Sequence, residues 1–284
     1  MNNRIIISTD CTCDLPDELL EKYSIQIVPF YILMKDIRYQ DYTEVTSTSL
    51  LEYVEQDNEK ISSMPPSVED YRAHFLKLAG EEKRTIIHAS ISSKLSDAYM
   101  NARDAAADMD NVFVINSGII SHGLGIFVLR AAELASRNAP SELILSELKK
   151  IQPRISTSFI LKTTSYLANN NRLNTMRSNL LSLFKIKPIL RIKNNEMTVD
   201  GAFIGSRTSY AKKYIRKVLK DKKNISDEIL FIAVSGCSEE FQQIIIDEAT
   251  KLIKWKKIYI HDVSATNFCN IGPGSIGVMF CTQK

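Results

Sequence analysis

No apolar run in this chain approaches the roughly 18 residues needed to span a bilayer as a helix. The five cysteines, at positions 11, 13, 237, 269 and 281, include no C-x-x-C and no Cys/His cluster at zinc-ligand spacing. Free thiols are therefore expected, and Cys11-x-Cys13 is a poor disulfide pair because alternate residues of extended chain point apart. The four histidines, His74, His88, His122 and His261, have no second histidine two or four residues on. A satisfied structural role is the default for each. The nucleophile elbow G-x-S-x-G is absent, which argues against a hydrolase of that kind. So is a Walker A sequence, which argues against a P-loop nucleotide site. Gly272-Pro273-Gly274-Ser275-Ile276-Gly277 matches G-x-G-x-x-G in form, but seven residues remain after Gly277, too few for a βαβ unit to carry a dinucleotide. It is expected instead to form a glycine turn at a close backbone approach.

What is present is a balanced composition. The 36 basic and 33 acidic side chains leave a formal charge of +3, too little to imply nucleic acid. The balance is uneven, since Arg207–Lys223 holds eight basic residues and one acid. A solvated helix face explains that run; a docking surface for an acidic partner or a membrane is the sharper alternative. The length of 284 residues suits two domains of ordinary size. The opening Met-Asn-Asn-Arg-Ile-Ile-Ile-Ser-Thr-Asp reads as a first strand rather than a signal peptide, which predicts a cytoplasmic protein.

The first half alternates short apolar strands with helices. Strands are predicted at 4–9, 25–34, 85–89 and 112–116, a polar connection at 35–46, and helices at 16–23, 49–56, 68–79, 94–109, 123–136 and 141–151. Near-continuous apolar strands between helices predict a parallel sheet covered on both faces, with ligands beyond its carboxyl ends. Pro153 and the polar stretch after it mark a boundary, giving domains 1–154 and 155–284. The second half has a different rhythm, with a hairpin turned by Asn194-Asn195, helices near 164–168, 177–184, 210–219 and 239–255, and strands near 158–162, 229–234, 258–261 and 275–281. The predicted class is α/β: a parallel-sheet N-terminal domain and a mixed-sheet α+β C-terminal domain.

Two hydroxyl-bearing stretches, Ser63-Met64-Pro65-Pro66-Ser67 and Ile91-Ser92-Ser93-Lys94-Leu95-Ser96, each precede a predicted helix. Serine hydroxyls beside free helix N–H groups can hold one anionic group. Asp10 and Asp14 flank the first strand-end loop. Paired carboxylates there could bind a metal or exchange protons, but Asp14 is expected to cap the helix at 16–23 and Asp10 to brace the loop.

Taken together and in order, these segments resemble the DegV family, fatty-acid-binding proteins that serve bacterial fatty acid kinase. Ser8-Thr9-Asp10-Cys11-Thr12-Cys13-Asp14-Leu15-Pro16 is similar to the family's D-S-T-A-D-L-P start, and Ser63–Ser67 stands where the family has T-S-Q-P-S. Ile91–Ser96 resembles I-S-S-x-L-S, Val114–Ser117 resembles V-I-D-S, and Tyr166–Leu173 resembles Y-L-x-x-G-G-R-I. Lys185–Leu190 is similar to N-I-K-P-I-L and Gly272–Gly277 to G-P-G-A-L-G. The resemblance implies two domains with an acyl chain in a tunnel between them and no cofactor beyond that ligand. It places the carboxylate at Ser63 and Ser93, with Ser92, Arg172, Asn270, Gly272 and Gly274 around it. Arg207 then sits nearer a surface where acyl chain, membrane or kinase would meet. The implied partners are a long-chain fatty acid and a separate fatty acid kinase catalytic subunit, with transient membrane contact and no nucleic acid. The family's H-T-G-P-G has become Asn270-Ile271-Gly272-Pro273-Gly274, so the head group meets an amide where the family has an imidazole. An enzyme related to dihydroxyacetone kinases is the alternative reading, although neither a substrate-binding histidine nor a nucleotide domain is evident.

Overall fold

The computed structural model describes residues 5–57, 60–169 and 186–283. Along the chain run β1 (Ile6–Asp10), α1 (Asp17–Tyr23), β2 (Gln26–Val28), β3 (Tyr31–Met34), β4 (Ile37–Gln40), α2 (Ser47–Asp57), β5 (Ile61–Met64), α3 (Val68–Ala79), β6 (Ile86–Ser90), α4 (Ala98–Ala105), β7 (Val112–Asn116), α5 (His122–Ser136) and α6 (Ser141–Ile151). They are followed by β8 (Ile155–Ile160), α7 (Ser165–Asn169), β9 (Lys187–Lys193), β10 (Glu196–Phe203), α8 (Arg207–Val218), β11 (Ile225–Val234), α9 (Glu239–Leu252), β12 (Lys257–Asp262), α10 (Ala265–Ile271) and β13 (Ile276–Thr282).

Three sheets form among the described residues. The first is parallel throughout, in the order β2-β1-β6-β7. A six-stranded mixed sheet, β10-β9-β8-β13-β11-β12, is antiparallel except for the β11–β12 pair. The third, β4-β3-β5, is a small antiparallel sheet. In the parallel sheet the chain steps one way from β1 to β2 and the other way from β1 to β6 and β7. Right-handed crossovers therefore put α3 and α4 on one face and α1 on the other, and α5 packs on the same face as α1.

Helix α5 is the layer between the two large sheets. It is apolar nearly all round, as a helix covered on both sides must be, and twelve of its fifteen residues are buried. It packs on β1 and β6 of one sheet and on β8, β13 and β11 of the other. Two glycines permit that approach. A Cβ on Gly123 would lie 2.1 Å from Thr157 Oγ1, and one on Gly125 would lie 2.9 Å from the Cys13 carbonyl oxygen. The resulting core is continuous from Ile7 to Met279. A second core, including Tyr214, Leu230, Ile245 and Phe280, lies under α8 and α9 on the far face of the mixed sheet.

The parallel and mixed sheets match expectation, and the Asn194-Asn195 turn has the two positive φ values (52° and 66°) that such a hairpin requires. The predicted strand at 25–34 is corrected. Backbone at 29–30 breaks it, so β2 enters the parallel sheet while β3 pairs with β4 and β5. The predicted polar connection at 35–46 contains β4, turned by Lys35 and Asp36, both at positive φ. Helix α10 went unforeseen. The helix predicted at 177–184 lies outside the described residues.

Candidate ligand site around the last short helix

Helix α10 is held by two carboxylates from distant parts of the chain. Asp41 accepts hydrogen bonds from the Ala265 and Thr266 N–H groups (3.1 and 2.8 Å) and from the Cys11 thiol. Asp14 accepts from the Ser264 N–H (2.8 Å), the Ser121 hydroxyl (2.5 Å) and the Asn267 side-chain amide (2.8 Å). The expected capping of α1 by Asp14 is corrected. Its own φ is +54°, and Pro16 occupies the N-cap position with no side-chain cap bond. Burial pushes the Asp14 carboxyl up to about 6 against the hydrogen bonds that favour its charge, and burial raises Asp41 as well. Nothing in the local sequence foretold Asp41, Ser121 or Asn267, because each acts only once the fold joins both halves.

At the other end of α10, Asn270 donates from Nδ2 to the Thr266 carbonyl (2.7 Å) and to Ser63 Oγ (3.3 Å). Ser63 lies in β5 rather than in a helix start, opposite Ile32 of β3. The cap of the following helix is Ser67, which forms a reciprocal pair with Asp70. After Asn270 the chain turns through Gly272 (φ 68°) and Gly274 (φ 80°). Ser235 fastens this turn, its hydroxyl donating to the Gly272 carbonyl at 2.9 Å and its own carbonyl accepting from the Gly274 N–H. A Cβ on Gly272 would strike the Tyr166 ring at 2.2 Å, so here glycine is required by space as well as by backbone conformation.

Arg207, the first residue of α8, stands beside the same turn, 3.4 Å from where a Gly274 Cβ would be. Its guanidinium lies over the Phe241 ring (4.0 Å) and Nη2 donates to Cys237 Sγ at 2.9 Å. It is half-buried.

The serine pair lies beyond the carboxyl end of β6, as expected, but not at a helix start. Helix α4 begins at Ala98, because the Ser92 and Ser96 hydroxyls accept from the N–H groups two residues on and close local turns instead. Ser92 is spent structurally: its hydroxyl donates to the Asn195 carbonyl at 2.6 Å and ties the hairpin to this loop. Ser93 differs. Asn116 Nδ2 donates to its hydroxyl oxygen at 2.7 Å, and Asn116 Oδ1 accepts from the Ser93 and Gly118 N–H groups. Ser63 and Ser93 thus stand alike, each hydroxyl oxygen occupied by an asparagine amide and each hydroxyl hydrogen without an acceptor among the described residues. Arg172 lies outside the described residues.

Asp10 anchors the serine loop. It accepts from the Tyr71 and Ser90 hydroxyls (2.5 and 2.7 Å) and the Ile91 N–H (2.9 Å), bracing β6 rather than its own loop. Burial opposes its charge, but His88 (Nε2 3.4 Å away), Tyr71 and the Ile91 N–H outweigh it and hold the carboxyl below the usual range. Ser8 bridges His88 to His74 behind it. Among the described residues no three His, Cys, Asp or Glu side chains gather as a metal site, and no two cysteines form a disulfide. A cleft of about 410 Å³ opens at the N-terminal end of α10, walled by Asp14, Asp41, Tyr42, Ser47 and Asp262; it includes neither Ser63, Ser93 nor Asn270.

The DegV family profile, whose description is of an uncharacterised protein family, matches residues 4–283. The chain belongs to the DegV family. A DegV domain-containing protein of Listeria innocua is 28% identical over 260 residues, covering 90% of this chain and 87% of its own. Among solved structures, a DegV family protein of Thermus thermophilus, described by its fatty acid binding, superposes with a TM-score of 0.89 at 24% identity over 99% of this chain and all of its own. Bacillus subtilis DegV, described as a fatty acid binding protein, gives 0.87 at 23% over 99% of both chains. The architecture of two large sheets and one small one is thus the DegV fold.

Proposed function

We propose that this DegV chain binds a long-chain fatty acid, with the tail in a tunnel between lobes 1–154 and 155–284 and the carboxyl end at Ser63 and Ser93. The observation that carries this reading is the matched state of the two serines. Each is held by an asparagine so that its hydroxyl hydrogen remains available to an acceptor, and a head-group oxygen is such an acceptor. The Thermus and Bacillus proteins of the same fold, described as binding fatty acids, support it.

The division of labour follows from magnitudes. Each buried methylene contributes about 0.8 kcal/mol, so a 16-carbon tail supplies on the order of 10 kcal/mol before ordering is subtracted. Each head-group hydrogen bond nets about 1–3 kcal/mol. The tail sets affinity and the serines set position. A chain so built is a carrier rather than an enzyme: it presents the carboxyl to a separate cytoplasmic fatty acid kinase for acyl-phosphate formation, and Arg207 lies toward the face used for kinase or transient membrane contact. The turn at Gly272 and Gly274 completes the head-group surroundings in this reading.

Organic extraction of the purified protein followed by mass spectrometry tests it. A stoichiometric long-chain acyl species is expected, with Ser63→Ala and Ser93→Ala each lowering retention about tenfold (~1.4 kcal/mol). Absence of any acyl species, together with no uptake of added palmitate, would refute it.

A further inference from the structure

Resting on the fatty-acid reading, the Ser63–Asn270 pair says which form of head group this chain accepts. Asn270 uses both amide hydrogens, on the Thr266 carbonyl and on Ser63 Oγ. Its orientation is fixed by the first of these, because an oxygen turned toward Thr266 would face another carbonyl oxygen at 2.7 Å. The amide oxygen is left over. Asn270 is 4% exposed, and its Oδ1 is buried without a hydrogen-bond partner among the described residues. A buried acceptor without a donor is a destabilising feature unless a ligand supplies the hydrogen.

The pair therefore offers one donor, the Ser63 hydroxyl, and one acceptor, Asn270 Oδ1. A carboxylate has acceptors only, and would set an anionic oxygen against the Asn270 lone pairs. Asp41, bonded to the Thr266 N–H one turn earlier on α10, adds a further carboxyl group to the same helix. A neutral carboxyl group, or a primary amide, matches the pair: its C=O accepts from Ser63 while its O–H or N–H donates to Asn270. We infer that Asn270 makes this chain selective for acyl ligands with a neutral, hydrogen-donating head group, the protonated acid or the primary amide, over the carboxylate.

The test is competition at neutral pH between palmitate and hexadecanamide for the delipidated wild-type protein, with the carbonyl ¹³C resonance of bound [1-¹³C]palmitic acid as a second readout. Hexadecanamide is expected to compete within threefold of the acid, and the bound acid to resonate at its protonated position. Asn270→His, which replaces the leftover acceptor with a donor, is expected to favour the acid over the amide at least tenfold and to move the resonance to the carboxylate position. The wild-type measurements stand even if that variant does not fold. Bound palmitate at the carboxylate position with hexadecanamide excluded would overturn the inference while leaving fatty-acid binding intact. Binding of neither probe would remove the parent reading and this one with it.

Discussion

The carboxylate of Asp14 and the side-chain amide of Asn267 meet at 2.8 Å across 253 positions of sequence. This contact, with Asp41 on the Ala265 and Thr266 N–H groups, holds α10 against the N-terminal half and so sets where Asn270 meets Ser63.

That clamp predicts a pH signature. Asp14 titrates near 6 in the folded chain against about 4 when unfolded. Because the folded value is the higher, its contribution is fully present below about pH 4 and is lost as pH rises through 6. Two units correspond to about 3 kcal/mol. Urea unfolding of wild type and Asp14→Asn at pH 4, 5, 6 and 7 is expected to show the wild type losing about that much relative to the variant between 4 and 6. A difference independent of pH would show that Asp14 does not titrate in this window.

A steric prediction concerns the layer between the sheets. Gly123→Ala places a methyl carbon 2.1 Å from Thr157 Oγ1 and 2.6 Å from an Ile119 side-chain carbon, so α5 must move off β8. A loss of about 2–3 kcal/mol by denaturant titration is expected, against the gain of up to about 1 kcal/mol that Gly→Ala gives an unobstructed helix. Stability equal to wild type would mean that the seam yields more easily than its contacts indicate.

Much of this was legible in the chain. The parallel sheet showed in its apolar strands at 85–89 and 112–116, the cap at Ser67 in its spacing from Asp70, and the hairpin in Asn194-Asn195. What stayed hidden depends on partners far away in sequence. Helix α10 has seven residues, too few for a periodic signal, and beyond its local cap at Ser264 its N-terminal N–H groups are satisfied by Asp14 and Asp41. The split at 29–30 carries a local marker, Pro29, which has no N–H for a sheet ladder, but which sheet each half joins is not written locally. Of the site residues, Ser92 and Ser93 are adjacent serines that only the family resemblance separates in the sequence, and Asn116 and Asn195 give the physical difference.

That distinction is itself testable. Ser92→Ala removes a partly buried bond to the Asn195 carbonyl and is expected to lower stability by about 1 kcal/mol and to speed hydrogen exchange in the β9–β10 hairpin. Ser93→Ala is expected to change stability by less than about 0.5 kcal/mol while lowering acyl retention. The reverse pattern would exchange the roles assigned to the two hydroxyls.

His122 opens α5 in full burial, with neither ring nitrogen hydrogen-bonded among the described residues and its ring 5.2 Å from that of Phe231. Burial, aided by His261, depresses its titration to about 3 against 6.5 in the unfolded chain. The folded value is the lower, so the neutral ring's stabilising contribution is present above pH 6.5 and is lost as pH falls toward 3. A difference of about 3.5 units amounts to roughly 5 kcal/mol of acid sensitivity. His122→Phe retains an aromatic ring beside Phe231 and removes two unsatisfied polar atoms. At pH 7 the variant is expected to be at least as stable as wild type, and under acid titration followed by circular dichroism to unfold at a lower pH. Unfolding at the same pH would mean that His122 reaches solvent or finds a partner before it is protonated.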